Sequence, residues 1–151
     1  MLKIGTKAPS FNLPNENGEM VKLEDYLGKK VIIYFYPKDN TPGCTKEALA
    51  FKEDFEEFKN KNCEIIGISK DSVNTHKKFL EKYELPFTLL SDVELDTLIK
   101  YEVWAEKKLY GKTYMGILRT TYVIDENGII IDVYENVKPD KNSKEILCKL
   151  V

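Results

Sequence analysis

The chain has 151 residues, 42% hydrophobic and 32% charged, which suits one globular domain with one sizeable core and excludes a disordered or fibrous chain. Its 23 basic and 25 acidic residues leave a net charge of −2, so no basic surplus argues for nucleic acid or an anionic membrane. Three cysteines without a CxxC pair and one histidine exclude a disulfide scaffold, a Cys-rich metal site and a multi-His metal centre. Sparse cysteine suits a reducing compartment. The start, MLKIGTKAPSF, shows no signal-peptide pattern, and the longest apolar run, VIIYFY, is too short to span a bilayer. The expected location is therefore cytoplasmic.

No repeat, low-complexity segment or linker divides residues 1–151, which read as one domain. FNLPNENGEMVKL reads as two short extended pieces around an Asn-Gly turn. KKVIIYFYP is a β-branched and aromatic run ended by Pro37, as expected of a strand buried on both faces. Cys44, Ala48, Phe51, Phe55 and Phe58 then fall on one face of one predicted helix. CEIIGIS is a second buried strand, and DSVNTHKKFLEKYEL a second helix capped by Asp71 or Ser72. FTLLSD gives a strand ending at Ser91, and SDVE has capping-box spacing before LDTLIKY. TTYVIDENGIIIDVYE is a hairpin around Asn127-Gly128, and SKEILCKLV a short closing helix. This order predicts an α/β fold, with helices on both faces of a mixed sheet and a site where a strand end feeds a helix start.

One such junction is YPKDNTPGCTKEAL, residues 36–49. Thr41 suits an N-cap and Pro42 the first helical position. Cys44 then lies in the first turn, where free amides and the helix dipole favour an anion, and such placement raises the thiolate fraction of a cysteine. The Thr41 hydroxyl is placed to donate to the sulfur or to an oxygen bound beside it. On the stripe with Ala48 and Phe51, the sulfur should lie at the base of an aromatic-walled pocket, where a thiolate needs a cation. Spacing alone also fits a small buried cysteine that happens to start a helix.

The wording of the segment decides between these. YFYPKDNTPGCTKEA resembles the active-site segment of the peroxiredoxins, with the Pro-x-x-x-Thr-x-x-Cys core standing as Pro37, Thr41 and Cys44. The branch it resembles most is the bacterioferritin comigratory protein or PrxQ group. Segments such as IIGISKDSVNTHKKFLEKYELPFTLLSD and YEVWAEKKLYGKTYMGILRTTYVIDENG extend the similarity over nearly the whole chain. The resemblance implies a thioredoxin-like fold with an N-terminal β-hairpin extension and an insertion. It implies Arg119, in ILRTTYVID, as the active-site cation. It also implies reduction of hydrogen peroxide and organic hydroperoxides through a sulfenic acid at Cys44, without a metal or organic cofactor. Thr41, Arg119 and the amides of Gly43 and Cys44 would stabilise the breaking O–O bond, with Pro37 and Pro42 shaping the loop. A monomer is the implied state, with a dimer left open.

Many members of this branch carry a resolving cysteine five residues after the reactive one, where this chain has Leu49. Cys63 is expected as a semi-buried strand-edge residue and Cys148 as a core-facing helix residue. The expected cycle therefore uses one cysteine, resolved by an external thiol such as thioredoxin, glutaredoxin or a small thiol. Its alternatives are a two-cysteine cycle through Cys63 or Cys148 and a redox-sensing thiol relay. His76, on the apolar stripe of its helix, is expected to pack in the core. Trp104 and Tyr110 are candidates for pocket walls, and Glu47 for an arginine partner.

Overall fold

The structure, a computed structural model, describes residues 1–150. Its centre is a five-stranded sheet of β3 (Lys30–Phe35), β4 (Cys63–Ser69), β5 (Thr88–Ser91), β8 (Thr120–Ile124) and β9 (Ile130–Tyr134), in the order β5-β4-β3-β8-β9. Strands β3, β4 and β5 run parallel, while β8 is antiparallel to β3 and β9 to β8. The apolar run over 31–36 alternates strictly between faces: Val31, Ile33 and Phe35 enter one core, and Ile32, Tyr34 and Tyr36 the other.

The second core receives α1 (Pro42–Glu53), α2 (Phe55–Asn60), α3 (Val73–Tyr83) and α5 (Asn142–Lys149), through residues such as Phe51, Phe58, Phe79 and Ile146. The first core is closed by α4 (Asp96–Lys100) and by the N-terminal segment with its β1 (Asn12–Pro14) and β2 (Met20–Lys22) hairpin. The fold is thus the expected thioredoxin-like arrangement, with the mixed sheet between helical layers and the hairpin at its N-terminal side. On the α1 face, Tyr34 stacks on Phe51 at 4.7 Å and on Tyr36 at 5.3 Å. The ring fits because β4 offers Gly67 beneath it: a Cβ there would lie 2.9 Å from Tyr34 Cζ and 2.8 Å from Leu89 Cδ2.

Two expectations need correction. The helix predicted from Cys44 to Phe58 is broken at Asp54, whose backbone (φ −93°, ψ 4°) leaves helical geometry. The Asp54 carboxylate accepts from Ser143 Oγ at 2.7 Å and Lys144 Nζ at 3.0 Å, so the break is fixed by α5. The capping box of SDVE does not form. Leu95, with φ +68°, occupies the N-cap of α4, and Asp92 instead accepts the Leu98 amide at 2.8 Å. The implied insertion, for which no conformation is predicted from sequence, is a hairpin before β8 of β6 (Trp104–Leu109) and β7 (Lys112–Ile117), turned at Tyr110-Gly111 with both φ values positive. By contrast, Thr41 caps α1 with Pro42 as its first residue, Ser72 caps α3 through the Thr75 amide, and Asn127-Gly128 turns β8 into β9.

Candidate active site

Residue Thr41 is extended (φ −96°, ψ 157°) and its carbonyl accepts the Thr45 amide at 2.8 Å, so Cys44 is the third residue of α1. Its side chain faces the sheet among Tyr34, Tyr36, Ala48 and Phe51 and is 1% exposed. The cation arrives from the sheet. Pairing of Phe35 with Thr120 leaves Arg119 just before the start of β8, level with the end of β3 and beside the start of α1. Arg119, the chain's only arginine, donates Nη2–H to Cys44 Sγ at 3.3 Å and Nη1–H to Glu47 Oε1 at 2.7 Å. Gly43 eases the approach, since a Cβ there would lie a tight 3.2 Å from Nη2.

The guanidinium fork therefore spans a sulfur and a carboxylate one turn apart on α1. Burial works against the Arg119 cation, but Glu47 and the Cys44 sulfur favour it and hold its pKa above the ordinary value. Glu47 is fully buried, and burial pushes its carboxyl up to about 7 against the pull of Arg119. Its Oε2 and the nearby hydroxyl of Tyr34 are buried without hydrogen-bond partners. The pairing of Glu47 with an arginine, expected from the sequence, is made in the structure.

Thr41 stands at the mouth of this arrangement, but its hydroxyl donates to the Lys38 carbonyl at 2.9 Å rather than to the sulfur. Its oxygen is left as an acceptor for a bound O–H group. Pro37, half-buried, opens the loop between β3 and α1. The structure thus joins Cys44 and Arg119 by a hydrogen bond, with Thr41 at the N-cap of the same helix and Pro37 two residues past the end of β3.

Other residues depart from expectation. His76 is fully buried, yet it is a hydrogen-bonding centre rather than packing alone. Nδ1 faces Asp39 Oδ2 at 2.6 Å and Nε2 faces the Leu90 carbonyl at 2.9 Å. Tyr110 is 95% exposed at the tip of the β6–β7 hairpin and walls no pocket. Trp104 packs against the core on the opposite face from Cys44, with Lys70 Nζ 5.8 Å above its ring. Lys107 of β6, unremarked in the sequence, donates to the Ile117 carbonyl at 2.9 Å, two residues before Arg119. Burial and the Arg119 charge lower its pKa, and the Cys44 sulfur opposes them, which marks it as a second cation within electrostatic reach of the thiol. The signal for it was Gly116, where a Cβ would lie 2.9 Å from Lys107 Cδ.

Leu49 is 39% exposed on α1. Cys63, 4% exposed at the start of β4, donates to the Lys61 carbonyl at 3.6 Å, and burial pushes its thiol up. Cys148 is exposed, which corrects its expected core-facing position: α5 buries Asn142, Ser143 and Ile146 instead. All three thiols are free. Among the described residues, no helix is long and apolar enough to cross a membrane.

The AhpC/TSA family matches residues 4–133. The chain is 47% identical over 146 residues to peroxiredoxin Bcp of Bacillus subtilis, covering 97% of this chain and 93% of that one. A solved mutant of Xylella fastidiosa PrxQ superimposes with a TM-score of 0.93 at 32% identity, over 99% of this chain and 96% of that one. The bacterioferritin comigratory protein of Xanthomonas campestris, studied for its alkyl peroxide reduction activity, superimposes with a TM-score of 0.88 at 34% identity, over 93% and 89%. An arginine-held sulfur at a helix start, on this fold and at these levels of identity, has one reading: the chain belongs to the AhpC/TSA family, among the Bcp/PrxQ peroxiredoxins, which are thiol-dependent peroxidases.

Proposed function

We propose that Cys44 is the peroxide-reducing thiol and that the enzyme works through a one-cysteine cycle on hydrogen peroxide and organic hydroperoxides. The observation that carries this reading is the Arg119 fork, 3.3 Å from Cys44 Sγ and 2.7 Å from Glu47 Oε1. A guanidinium donor on sulfur stabilises a sulfur anion, and the amides at the start of α1 add to it. The thiolate attacks the terminal oxygen of ROOH. The O–O bond breaks, Cys44 becomes a sulfenic acid, and RO⁻ takes a proton from solvent and leaves as alcohol, or as water from hydrogen peroxide. Thr41, its proton committed to Lys38, accepts from the hydroperoxide O–H and orients it. Arg119 and the amides of Gly43 and Cys44 meet the charge that develops on the leaving oxygen. Pro37 gives the loop its turn into the site.

Resolution falls to an external thiol, thioredoxin, glutaredoxin or a small molecule, in a reducing cytoplasmic setting. Leu49 at the fifth position and the buried, pushed-up thiol of Cys63 support this. The exposed thiol of Cys148 is what a second reading, a two-cysteine cycle, would use. One experiment covers both. Wild type consumes hydrogen peroxide and Cys44→Ser does not. One equivalent of peroxide adds a single oxygen to the wild-type mass or links two chains through Cys44. Equal consumption by the two proteins sinks the role of Cys44, and an internal disulfide to Cys148 or Cys63 sinks the one-cysteine cycle.

A further inference from the structure

The loop between β3 and α1 is held from below by a cluster that the reaction itself does not use. The Asp39 carboxylate, buried, accepts from the Tyr36 hydroxyl at 2.6 Å through Oδ1 and meets His76 Nδ1 at 2.6 Å through Oδ2. The other imidazole nitrogen bonds the Leu90 carbonyl at 2.9 Å. A carbonyl only accepts, so Nε2 carries a proton, and the Nδ1–Oδ2 contact requires one more, shared by the pair. The Asp39 amide donates to Asp71 Oδ2 at 2.9 Å, and the same oxygen accepts the Ser69 hydroxyl at 2.7 Å. Asp39, Asp71 and His76 lie close enough for a metal site, but Asp39 Oδ2 and His76 Nδ1 bond each other, and Asp71 Oδ2 is taken by the Asp39 amide and the Ser69 hydroxyl.

The connection to the site runs through one peptide plane. The amide that Asp71 grips and the carbonyl that accepts the Thr41 hydroxyl at 2.9 Å are the two ends of the Lys38–Asp39 peptide. That carbonyl decides where the Thr41 proton points, and hence which way its acceptor lone pairs face. Asn40, with φ +58°, follows immediately, so the turn into α1 has little freedom once Asp39 is fixed.

We propose that His76 and Asp39 are positioning residues of the peroxide site: their buried hydrogen-bonded pair fixes the Lys38–Asp39 peptide, and that peptide aims the Thr41 hydroxyl at the substrate. This rests on the peroxidase reading above and adds a residue from α3 to it. The pair acts through Thr41 and not through the sulfur, whose own partner is Arg119.

The test separates these two routes. Second-order rates with hydrogen peroxide are measured beside rates of Cys44 alkylation by iodoacetamide, an electrophile that makes no use of Thr41. His76→Phe should lower the peroxide rate at least ~10-fold, as small misplacements of an orienting group do, and leave the alkylation rate within about two-fold. In a Thr41→Val background, His76→Phe should cost little more, because the two act as one unit. Should His76→Phe not fold, His76→Gln, which keeps one donor, and Asp39→Asn carry the same paired measurement, with the glutamine variant retaining more activity than the asparagine one. Equal losses in both rates, full additivity with Thr41→Val, or an unchanged peroxide rate would overturn the proposal. Wild type and Cys44→Ser run alongside: no peroxide turnover by wild type overturns the peroxidase reading, and the positioning role with it, whereas a wild-type rate well above Cys44→Ser with any of the three failures confines the error to His76 and Asp39.

Discussion

Cys44 and Cys63 are almost equally hidden, at 1% and 4% exposure on the same face of the sheet, and they are opposite in chemistry. Cys44 has a guanidinium donor on its sulfur and a helix start around it. Cys63 opens a strand, donates a hydrogen bond to the Lys61 carbonyl, and is pushed toward the neutral form by burial. Burial alone makes a cysteine a small hydrophobe. Burial with a fixed donor is what the nucleophile proposed at Cys44 needs, because an anion there would have partners that cost no reorganisation.

The contrast is broken most severely at Arg119. Arg119→Lys keeps a charge but cannot span Cys44 and Glu47 together, and kcat/KM for hydrogen peroxide should fall ~100-fold, the scale of one lost preorganised donor. Cys63→Ser in the same assay should stay within about two-fold of wild type. A lysine variant with wild-type turnover would show that the fork is dispensable.

Glu47 sharpens the comparison through pH. Its carboxyl is raised from 4.5 to about 7 in the fold, so the protonated form is the one the folded state favours. Stability from this group is fully present below about pH 4.5 and is lost as pH rises through about 7. Glu47→Gln lacks that loss. The stability of wild type relative to Glu47→Gln should therefore drop by roughly 3 kcal/mol between pH 4.5 and pH 8, read from urea unfolding at each pH. An equal difference at both ends would contradict a carboxyl raised by burial. The smallest effect concerns the two thiols outside the site. In Cys44→Ser, iodoacetamide should label Cys148 at least ~10-fold faster than Cys63, which reacts only after local opening. Equal rates, followed by peptide mass, would remove the distinction between them.

What the sequence revealed follows the range of the forces involved. Strands β3 and β4, the Thr41-Pro42 start of α1 and the Asn127-Gly128 turn are written in neighbouring residues, and the structure has them where the pattern places them. The β6–β7 hairpin escaped because WAEKKL and KTYMGI are charged and largely exposed, with no clean apolar alternation. The break at Asp54 escaped because Phe51, Phe55 and Phe58 continue the helical period, while its cause lies in Ser143 and Lys144 of α5. Cys148 misled because Ile146, Leu147 and Leu150 are apolar, yet α5 turns its buried face through Ile146. At the site, Cys44 and Thr41 could be argued from helix-end physics. Arg119 is 75 residues from Cys44 and came from resemblance alone. The partnership of Asp39 with His76, 37 residues apart, left only an ambiguous trace: a histidine on an apolar stripe.

Gly67 sits in the middle of β4, with Tyr34 pressed onto it and Phe51 of α1 stacked on the far side of that ring. The missing side chain works as a spacer of zero thickness. It sets how near α1 can settle on the sheet, and so the depth at which the sulfur meets the guanidinium arriving from the start of β8. A single methyl added in the floor, at a residue touching neither thiol nor oxidant, would lift the ring above it and reach the helix that carries the chemistry.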